Sequence, residues 1–136
     1  MILGFTGTQN PPTLEQFDAL YSLVDALCPD KARHGDCLGA DFTFHAICLE
    51  LNIPVILHPP INPVKRAYCK GAHTVLEERD YIVRNHDIVD ESDSVIACTP
   101  TQAEILRSGT WATYRYAKRT GKETFLILPT GEIQHD

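Results

Sequence analysis

Short apolar runs alternate along this chain with longer stretches in which apolar residues recur every three or four positions. The runs at residues 2–5, 31–35, 53–57, 94–99 and 123–128 have the length of strands, and the run at 94–99 is typical of a fully buried one. Between them, amphipathic spacing predicts helices after Thr13 and from about residues 39, 76 and 109. This order predicts an α/β fold: a single-domain, Rossmann-like, doubly wound sheet of about five mainly parallel strands with helices on both faces.

Local signals sharpen some of these boundaries. Thr13 to Gln16 fits a capping box at the start of the first helix, and Gly121 is well placed to end the last helix, at 109–121. The helix from about Leu76 to Asp90 offers Ile82, Ile88 and Val89 to the core. Residues 58–74 show no periodicity and carry three basic side chains, which form either a gate over a charged ligand or a solvated loop: Lys65, Arg66 and Lys70.

Three glycine-containing loops should meet at one edge of this sheet. They are Gly7-Thr8-Gln9, residues 35–39, and Ser108-Gly109-Thr110. Ligands of doubly wound sheets bind beyond the carboxyl ends of the strands, where the strand order reverses. The third loop also opens a helix, whose unpaired N–H groups and dipole attract anions. The loops together predict a phosphate-bearing ligand.

Each of these positions also has a purely structural interpretation. Gly7 is compatible with a tight turn, and Gly35 and Gly39 with close helix–strand packing. Ser108 or Thr110 can simply cap the helix that follows.

Charged residues near the predicted edge supply candidate chemistry. Asp36 and Asp41 can each accept a ribose hydroxyl or act as acid or base in glycosidic cleavage, while Asp41 can alternatively cap its helix. Arg84 can bind a phosphate bidentately, or form a surface ion pair with Asp80 or Asp87. The predicted catalytic group is therefore Asp36, Asp41 and Arg84.

Composition narrows the possible partners. A net charge of -6 argues against a broad nucleic-acid interface, so nucleic acid is not an expected partner. Five cysteines without a C-x-x-C pair suit reduced thiols, and no apolar run approaches membrane-spanning length or a signal peptide. We therefore expect a cytoplasmic protein without membrane contact.

A few side chains bear on metal binding and self-association. His34, Asp36 and Cys37 are metal-ligand types, but they are adjacent rather than spaced for tetrahedral binding, so we expect no metal and no required cofactor. Cys37 lacks a histidine placed by sequence as its base, which disfavours it as a nucleophile. Trp111 either stacks on a base or packs in the core or at a subunit contact. Three large aromatics in its helix leave a homo-oligomer open: Trp111, Tyr114 and Tyr116.

Four motifs together resemble the SLOG superfamily, the Rossmann-like domains named after the Smf/DprA and Lonely Guy proteins. They are residues 4–8 (Gly-Phe-Thr-Gly-Thr), residues 34–41 (His-Gly-Asp-Cys-Leu-Gly-Ala-Asp), Arg84-Asn85 and Ser108-Gly109-Thr110. The second and third are most similar to the small stand-alone, YpsA-related branch. The resemblance implies a nucleotide or nucleotide-derived ligand at the strand edge described above and brings Asn85 into the site.

The Lonely Guy branch would further imply hydrolysis of the N-glycosidic bond of a nucleoside 5′-monophosphate. Its phosphate loop reads Pro-Gly-Gly-x-Gly-Thr-x-x-Glu, with a catalytic glutamate, whereas this chain has Thr113 at that position. Arg84 does match the arginine that the branch places before the fourth strand. We therefore expect a nucleotide-binding sensor or carrier first. The alternative is a hydrolase in which Asp36 or Asp41 replaces the glutamate; single-stranded DNA binding fits poorly with the acidic charge.

The complete predicted ligand-binding set draws on all of these segments. It comprises Gly7, Thr8, Gln9, Gly35, Asp36, Gly39, Asp41, Arg84, Asn85, Ser108, Gly109 and Thr110.

Overall fold

Strands and helices alternate along almost the whole chain in a computed structural model that describes residues 1–136. The elements are β1 (Ile2–Gly7), α1 (Leu14–Leu27), β2 (Lys31–His34), α2 (Ala40–Glu50), β3 (Val55–Leu57), β4 (Thr74–Val75), α3 (Tyr81–Asp90), β5 (Ser94–Cys98), α4 (Gly109–Arg119), β6 (Glu123–Ile127) and β7 (Ile133–His135). No helix among them has the length and apolar character needed to cross a lipid bilayer.

All strands belong to one sheet in the order β4-β3-β2-β1-β5-β6-β7. Every pairing is parallel except that of β6 with β7. The chain winds outward from β1 to the edge strand β4 and then returns to place β5 on the other side of β1. The strand order therefore reverses between β1 and β5, which is the position where open α/β sheets bind ligands.

Side chains that alternate along β5 pack against different helices on the two faces of the sheet. Ile96 and Cys98 belong to the larger core cluster, which includes Leu20 of α1 and Phe44 of α2. The intervening residues Val95 and Ala97 pack instead in two smaller clusters. Those clusters contain Val89 of α3 and Trp111 and Ala117 of α4. Successive strand residues point to opposite faces, so helices cover both sides as predicted.

The α/β class is confirmed, but the sheet has seven strands rather than about five. β4 lies in the segment expected to be a loop, and β7 lies in the expected polar tail. Both are short edge strands of two and three residues, whose identity is decided by pairing with β3 and β6 rather than by local pattern.

Helix α3 begins at Tyr81, five residues later than the pattern predicts. The backbone N–H of Leu76 donates to the Leu57 carbonyl oxygen at 3.0 Å, so the chain is still extended beside β3 at that point. Ile82 does not reach the core, because its side chain is 66% exposed. The buried face of α3 is formed by Arg84, Ile88 and Val89, so a charged residue that the pattern did not assign to the core is buried instead of Ile82.

Gln16 fastens the first helix to the ends of two strands. The capping box is present, with Thr13 and Gln16 bonded reciprocally. The buried side chain of Gln16 also donates to the carbonyl oxygens of Thr99 at 2.9 Å and Ile127 at 3.1 Å. This one residue therefore joins α1 to the carboxyl ends of β5 and β6.

Candidate functional site

A cavity of about 300 Å³ opens beyond the carboxyl ends of β1, β2 and β5, beside the reversal of strand order. Ten of the twelve residues in the predicted ligand-binding set line it: Gly7, Thr8, Gln9, Gly35, Asp41, Arg84, Asn85, Ser108, Gly109 and Thr110. The three glycine loops, distant in sequence, therefore converge on one space. The role of these residues in binding stays a prediction.

The start of α4 presents unpaired donors to this cavity. The Ser108 side chain caps the helix by accepting the N–H of Trp111 at 3.3 Å. The backbone N–H groups of Gly109 and Thr110 make no hydrogen bond within the chain, and neither does that of Gln9. Three free N–H groups around one cavity, two of them at the positive end of a helix, are suited to an anion.

Thr113 stands at the position where the Lonely Guy loop carries its glutamate. Its side chain is buried and its hydroxyl donates to the Gly109 carbonyl oxygen, one turn earlier, at 2.8 Å. Thr113 is therefore occupied within its own helix and does not line the cavity.

Arg84 brings a buried positive charge to the same cavity. Its side chain is 4% exposed, and Nη1 donates to the Gly35 carbonyl oxygen at 2.9 Å. Nε is fully buried without a hydrogen-bond partner, whereas Nη2, which also has no partner, is accessible from the cavity. Arg84 forms neither of the predicted ion pairs with Asp80 and Asp87. Asp87 binds Arg79 instead, at 2.7 Å, and Asp80 forms no ion pair with a basic side chain. A buried guanidinium with an unused donor is unusual unless a ligand completes its surroundings.

Gly35 makes this placement of Arg84 possible. A Cβ atom added to Gly35 would overlap Arg84 Nη1, and it would also crowd the Asp41 carboxylate. The absence of a side chain at Gly35 therefore lets the guanidinium lie directly against the backbone at the end of β2.

Asp41 is the acidic residue that faces the cavity. It lies in the first turn of α2, is 6% exposed, and Oδ2 accepts the N–H of Cys37 at 3.2 Å. Burial raises the pKa of Asp41 to about 6, although the Arg84 guanidinium and the Cys37 N–H both favour ionisation. Asp41 does not cap its helix, since the capping position is Gly39 and makes no side-chain bond. A carboxyl group with a pKa near neutrality can exchange protons at physiological pH.

Asp36 does not reach the cavity, contrary to the expectation for this residue. Its carboxylate is fully buried, with Oδ2 bound to Arg66 Nε at 2.9 Å and Oδ1 accepting the N–H of Cys69 at 2.9 Å. The backbone of Asp36 has a φ of 53°, which turns the chain so that the side chain meets the segment 62–70. Asp36 therefore anchors that segment and is not placed to act as acid or base in the cavity.

Gly39 also lies outside the cavity lining, for a packing reason. It has a φ of 92°, and a Cβ atom there would overlap the backbone of Gln9. The next residue, Ala40, donates its N–H to the Thr8 carbonyl oxygen at 2.9 Å. Gly39 thus allows the start of α2 to pack against the loop after β1, as the structural interpretation proposed.

The basic segment 58–74 is fixed rather than poised as a gate. The Lys65 carbonyl oxygen accepts the N–H of Leu38 at 3.0 Å, and the Asp36 carbonyl oxygen accepts that of Ala67 at 2.8 Å. None of the three basic side chains, Lys65, Arg66 and Lys70, lines the cavity.

A buried histidine pair continues this anchoring. The N–H of Asp36 donates to His34 Nδ1 at 3.0 Å, His34 Nε2 lies 2.8 Å from His45 Nδ1, and His45 Nε2 lies 2.7 Å from the Lys70 carbonyl oxygen. This chain of bonds sets both imidazoles in the neutral form protonated at Nε2. Burial correspondingly lowers the pKa of His34.

Cys69 completes a group of metal-ligand types with His34 and His45, whose ligand atoms lie within 4.8 Å of one another. Burial raises the pKa of the Cys69 thiol, and both free imidazole lone pairs already accept N–H groups. The donor set therefore suits hydrogen bonding better than metal coordination, which requires free nitrogen lone pairs and a thiolate. The adjacent set of His34, Asp36 and Cys37 is divided, because Asp36 turns away toward Arg66.

Several cavity residues were missed by the sequence pattern. Tyr81 and Arg107 line the cavity beside α4, and Asn10 extends the loop after β1. Arg107 directly precedes the helix-opening motif, which was an available signal. Tyr81 carried none, since the pattern placed it inside a longer helix. Trp111 is buried in the core and donates its indole N–H to Thr101 Oγ1 at 3.0 Å, so it does not face the cavity.

Comparison of the sequence with protein-family models gave no match, and comparison with curated proteins gave none either. The fold, by contrast, is shared with solved structures. The molybdenum cofactor binding protein from the phototrophic bacterium Rippkaea orientalis has 19% identity and a TM-score of 0.71, covering 93% of this chain and 76% of that one. The Moco carrier protein from Chlamydomonas reinhardtii has 17% identity and a TM-score of 0.63, covering 92% and 74%.

A third similar structure is the structural-genomics target TM1055, with 18% identity, a TM-score of 0.67, and coverage of 90% of this chain and 71% of that one. At such identities the likeness establishes the class of fold, a Rossmann-like α/β sheet. It does not extend to the ligand, because one fold of this kind serves many functions.

Proposed function

We propose that this protein binds a phosphate-bearing small molecule, a nucleotide or nucleotide-derived ligand, as a sensor or carrier of the SLOG type. The observation that carries the proposal is the unsatisfied donor set in one cavity. It consists of the buried Arg84 guanidinium, whose Nη2 is unpaired and accessible, and the unpaired N–H groups of Gly109 and Thr110. A bound anion would satisfy both, which offsets the cost of leaving these groups without partners.

The arrangement suggests how such a ligand is held. The phosphate binds at the start of α4, where backbone N–H groups and the helix dipole act together. Arg84 neutralises charge from the side of α3. Polar side chains of Gln9 and Asn85 remain for the rest of the molecule. A cavity of about 300 Å³ is at the lower end of small-molecule sites, which favours a mononucleotide-sized ligand over a dinucleotide.

The proteins of similar fold support binding and carrying of the ligand over its chemical conversion. Two of them are described as a molybdenum cofactor binding protein and as a Moco carrier protein. That cofactor is therefore a second ligand to test in the same cavity. Assignment to the YpsA-related branch rests on the motifs at residues 34–41 and at Arg84-Asn85 alone.

Hydrolysis of an N-glycosidic bond is the second candidate function, and Asp41 favours it. Asp41 lines the cavity and burial raises its pKa to about 6, so at neutral pH it can act as a general base or, in its protonated fraction, as an acid. It is the carboxyl group that could stand in for the glutamate that Thr113 replaces.

The test is a titration of the protein with nucleoside monophosphates, dinucleotides and the molybdenum cofactor by calorimetry, with chromatography for released base. Arg84→Gln should weaken phosphate-ligand binding by about tenfold or more, the loss typical of a hydrogen bond to a charged group. Arg79→Gln, an exposed arginine outside this cavity, is the matched control. Binding without base release supports a carrier or sensor; base release supports the hydrolase. If no phosphate-bearing compound binds, the proposal is wrong.

A further inference from the structure

Tyr81 connects the two anion-attracting parts of the cavity. It is the first residue of α3, and Gly109 is the first residue of α4. A Cβ atom added to Gly109 would overlap the Tyr81 hydroxyl, so this hydroxyl lies directly against the start of α4. On the other side, the centre of the Arg84 guanidinium is 5.5 Å from the centroid of the Tyr81 ring.

The Tyr81 side chain is held there by contact alone. Its hydroxyl makes no hydrogen bond within the chain, although Gly109 and Thr110, whose backbone N–H groups are unpaired, line the same cavity. The side chain is 48% exposed. A phenol is both donor and acceptor, so it can donate to an anion that accepts the N–H groups beside it.

We infer that Tyr81 determines specificity for the phosphate group: its hydroxyl donates to the bound phosphate, and its ring covers the start of α4. This inference rests on the proposed function and adds to it a residue that discriminates phosphorylated from unphosphorylated ligands. Gly109 has a defined part in the arrangement, because any side chain there would displace the hydroxyl.

The opposite arrangement gives a distinguishable result. If the Tyr81 hydroxyl merely fills the space in which an anion would bind, a ligand must displace it. Removing the hydroxyl would then strengthen phosphate binding rather than weaken it.

Inorganic phosphate, adenosine 5′-monophosphate and adenosine serve as probes, with the backbone amide signals of Gly109 and Thr110 followed by NMR during titration. Tyr81→Phe should weaken binding of phosphate and of the monophosphate by about tenfold, and should leave adenosine binding unchanged. Gly109→Ala should reproduce this loss, and the double variant should lose no more than either single one.

The variants are chosen to keep the fold. Gly109 does not have a positive φ, and alanine is favoured within helices, so Gly109→Ala displaces a half-exposed ring without backbone strain. Tyr68→Phe is the matched control, since Tyr68 is exposed and outside the cavity.

Suppose that the wild-type protein binds phosphate. If Tyr81→Phe then binds phosphate with an affinity within twofold of wild type, or more tightly, the inference about Tyr81 is wrong while the proposed function stands. Failure of the wild-type protein to bind any phosphate-bearing compound would overturn the proposed function itself, and is seen before any variant is made.

Discussion

Replacing Asp41 by asparagine should stabilise the protein at neutral and alkaline pH. Burial raises the pKa of Asp41 from its ordinary 3.8 to about 6. Folding therefore favours the protonated carboxyl group, and the native state binds this proton more tightly than the unfolded state between those two values. The free energy of unfolding of the wild-type protein consequently falls as the pH rises from about 4 to about 6. Above that pH, the contribution of Asp41 to this free energy stays constant.

The size of the effect follows from the shift. A change of about two pKa units corresponds to about 3 kcal/mol, and the group is too buried for solvent to screen much of it. Asparagine is nearly isosteric, cannot ionise, and can still accept the N–H of Cys37. Asp41→Asn should thus be up to about 3 kcal/mol more stable than wild type at pH 8, with the difference disappearing below the unfolded pKa of 3.8.

Urea unfolding of the ligand-free protein at pH 4, 6 and 8 measures this difference directly. Asp18→Asn, a change at an exposed position of α1, controls for loss of one negative charge. A stability gain of equal size at all three pH values, or a loss at pH 8, would contradict the assigned burial of an ionised Asp41. A buried carboxyl group that lowers stability, as Asp41 does, is expected to be kept where the function requires it.

Three further substitutions test contacts that position Arg84, helix α1 and segment 62–70. Gly35→Ala should displace the Arg84 guanidinium and weaken phosphate binding as much as Arg84→Gln does, measured by calorimetry; unchanged affinity would mean that the arginine does not reach the ligand. Gln16→Leu removes two buried bonds to backbone carbonyls and should lower the free energy of unfolding by about 2–4 kcal/mol in urea, whereas a loss below about 0.5 kcal/mol would contradict this anchoring role. Asp36→Asn weakens the hydrogen bonds from the Asp36 side chain to segment 62–70, so hydrogen exchange at the Cys69 amide should accelerate several-fold. Protection of that amide equal to wild type would show that Asp36 does not anchor the segment.

The regular part of this fold could be predicted because its strands and helices are periodic. The capping box at Thr13 and the buried strand at residues 94–98 are local signals, and both are present. β4 and β7 could not be predicted in the same way, since two or three residues become a strand only when a neighbouring strand supplies hydrogen bonds. The late start of α3 has the same cause, as pairing with β3 keeps Leu76 extended.

The site was predictable to the extent that topology decides it. Gly7, Gly35 and Gly109 follow or adjoin the carboxyl ends of parallel strands, and such ends meet at one edge. Which of two nearby carboxylates faces the cavity was not predictable. Asp36 and Asp41 differ through the positive φ of Asp36 and the position of segment 62–70, and both are tertiary features.

Arg84 shows what helical periodicity alone does not reveal, since it entered the predicted site through the Arg84-Asn85 motif and not through its position on the helix. Helical periodicity assigns charged positions to solvent, yet here the arginine occupies the inward face of α3 together with Ile88. A core built for stability alone would place an apolar side chain there, because burying a cation with one carbonyl contact and an idle Nε is costly. Asp41, which lines the same cavity, is likewise buried at a cost, and its raised pKa reflects that cost. Two adjacent departures from the rules of core packing, both facing one cavity, are better explained by a ligand that satisfies them than by independent accidents of folding.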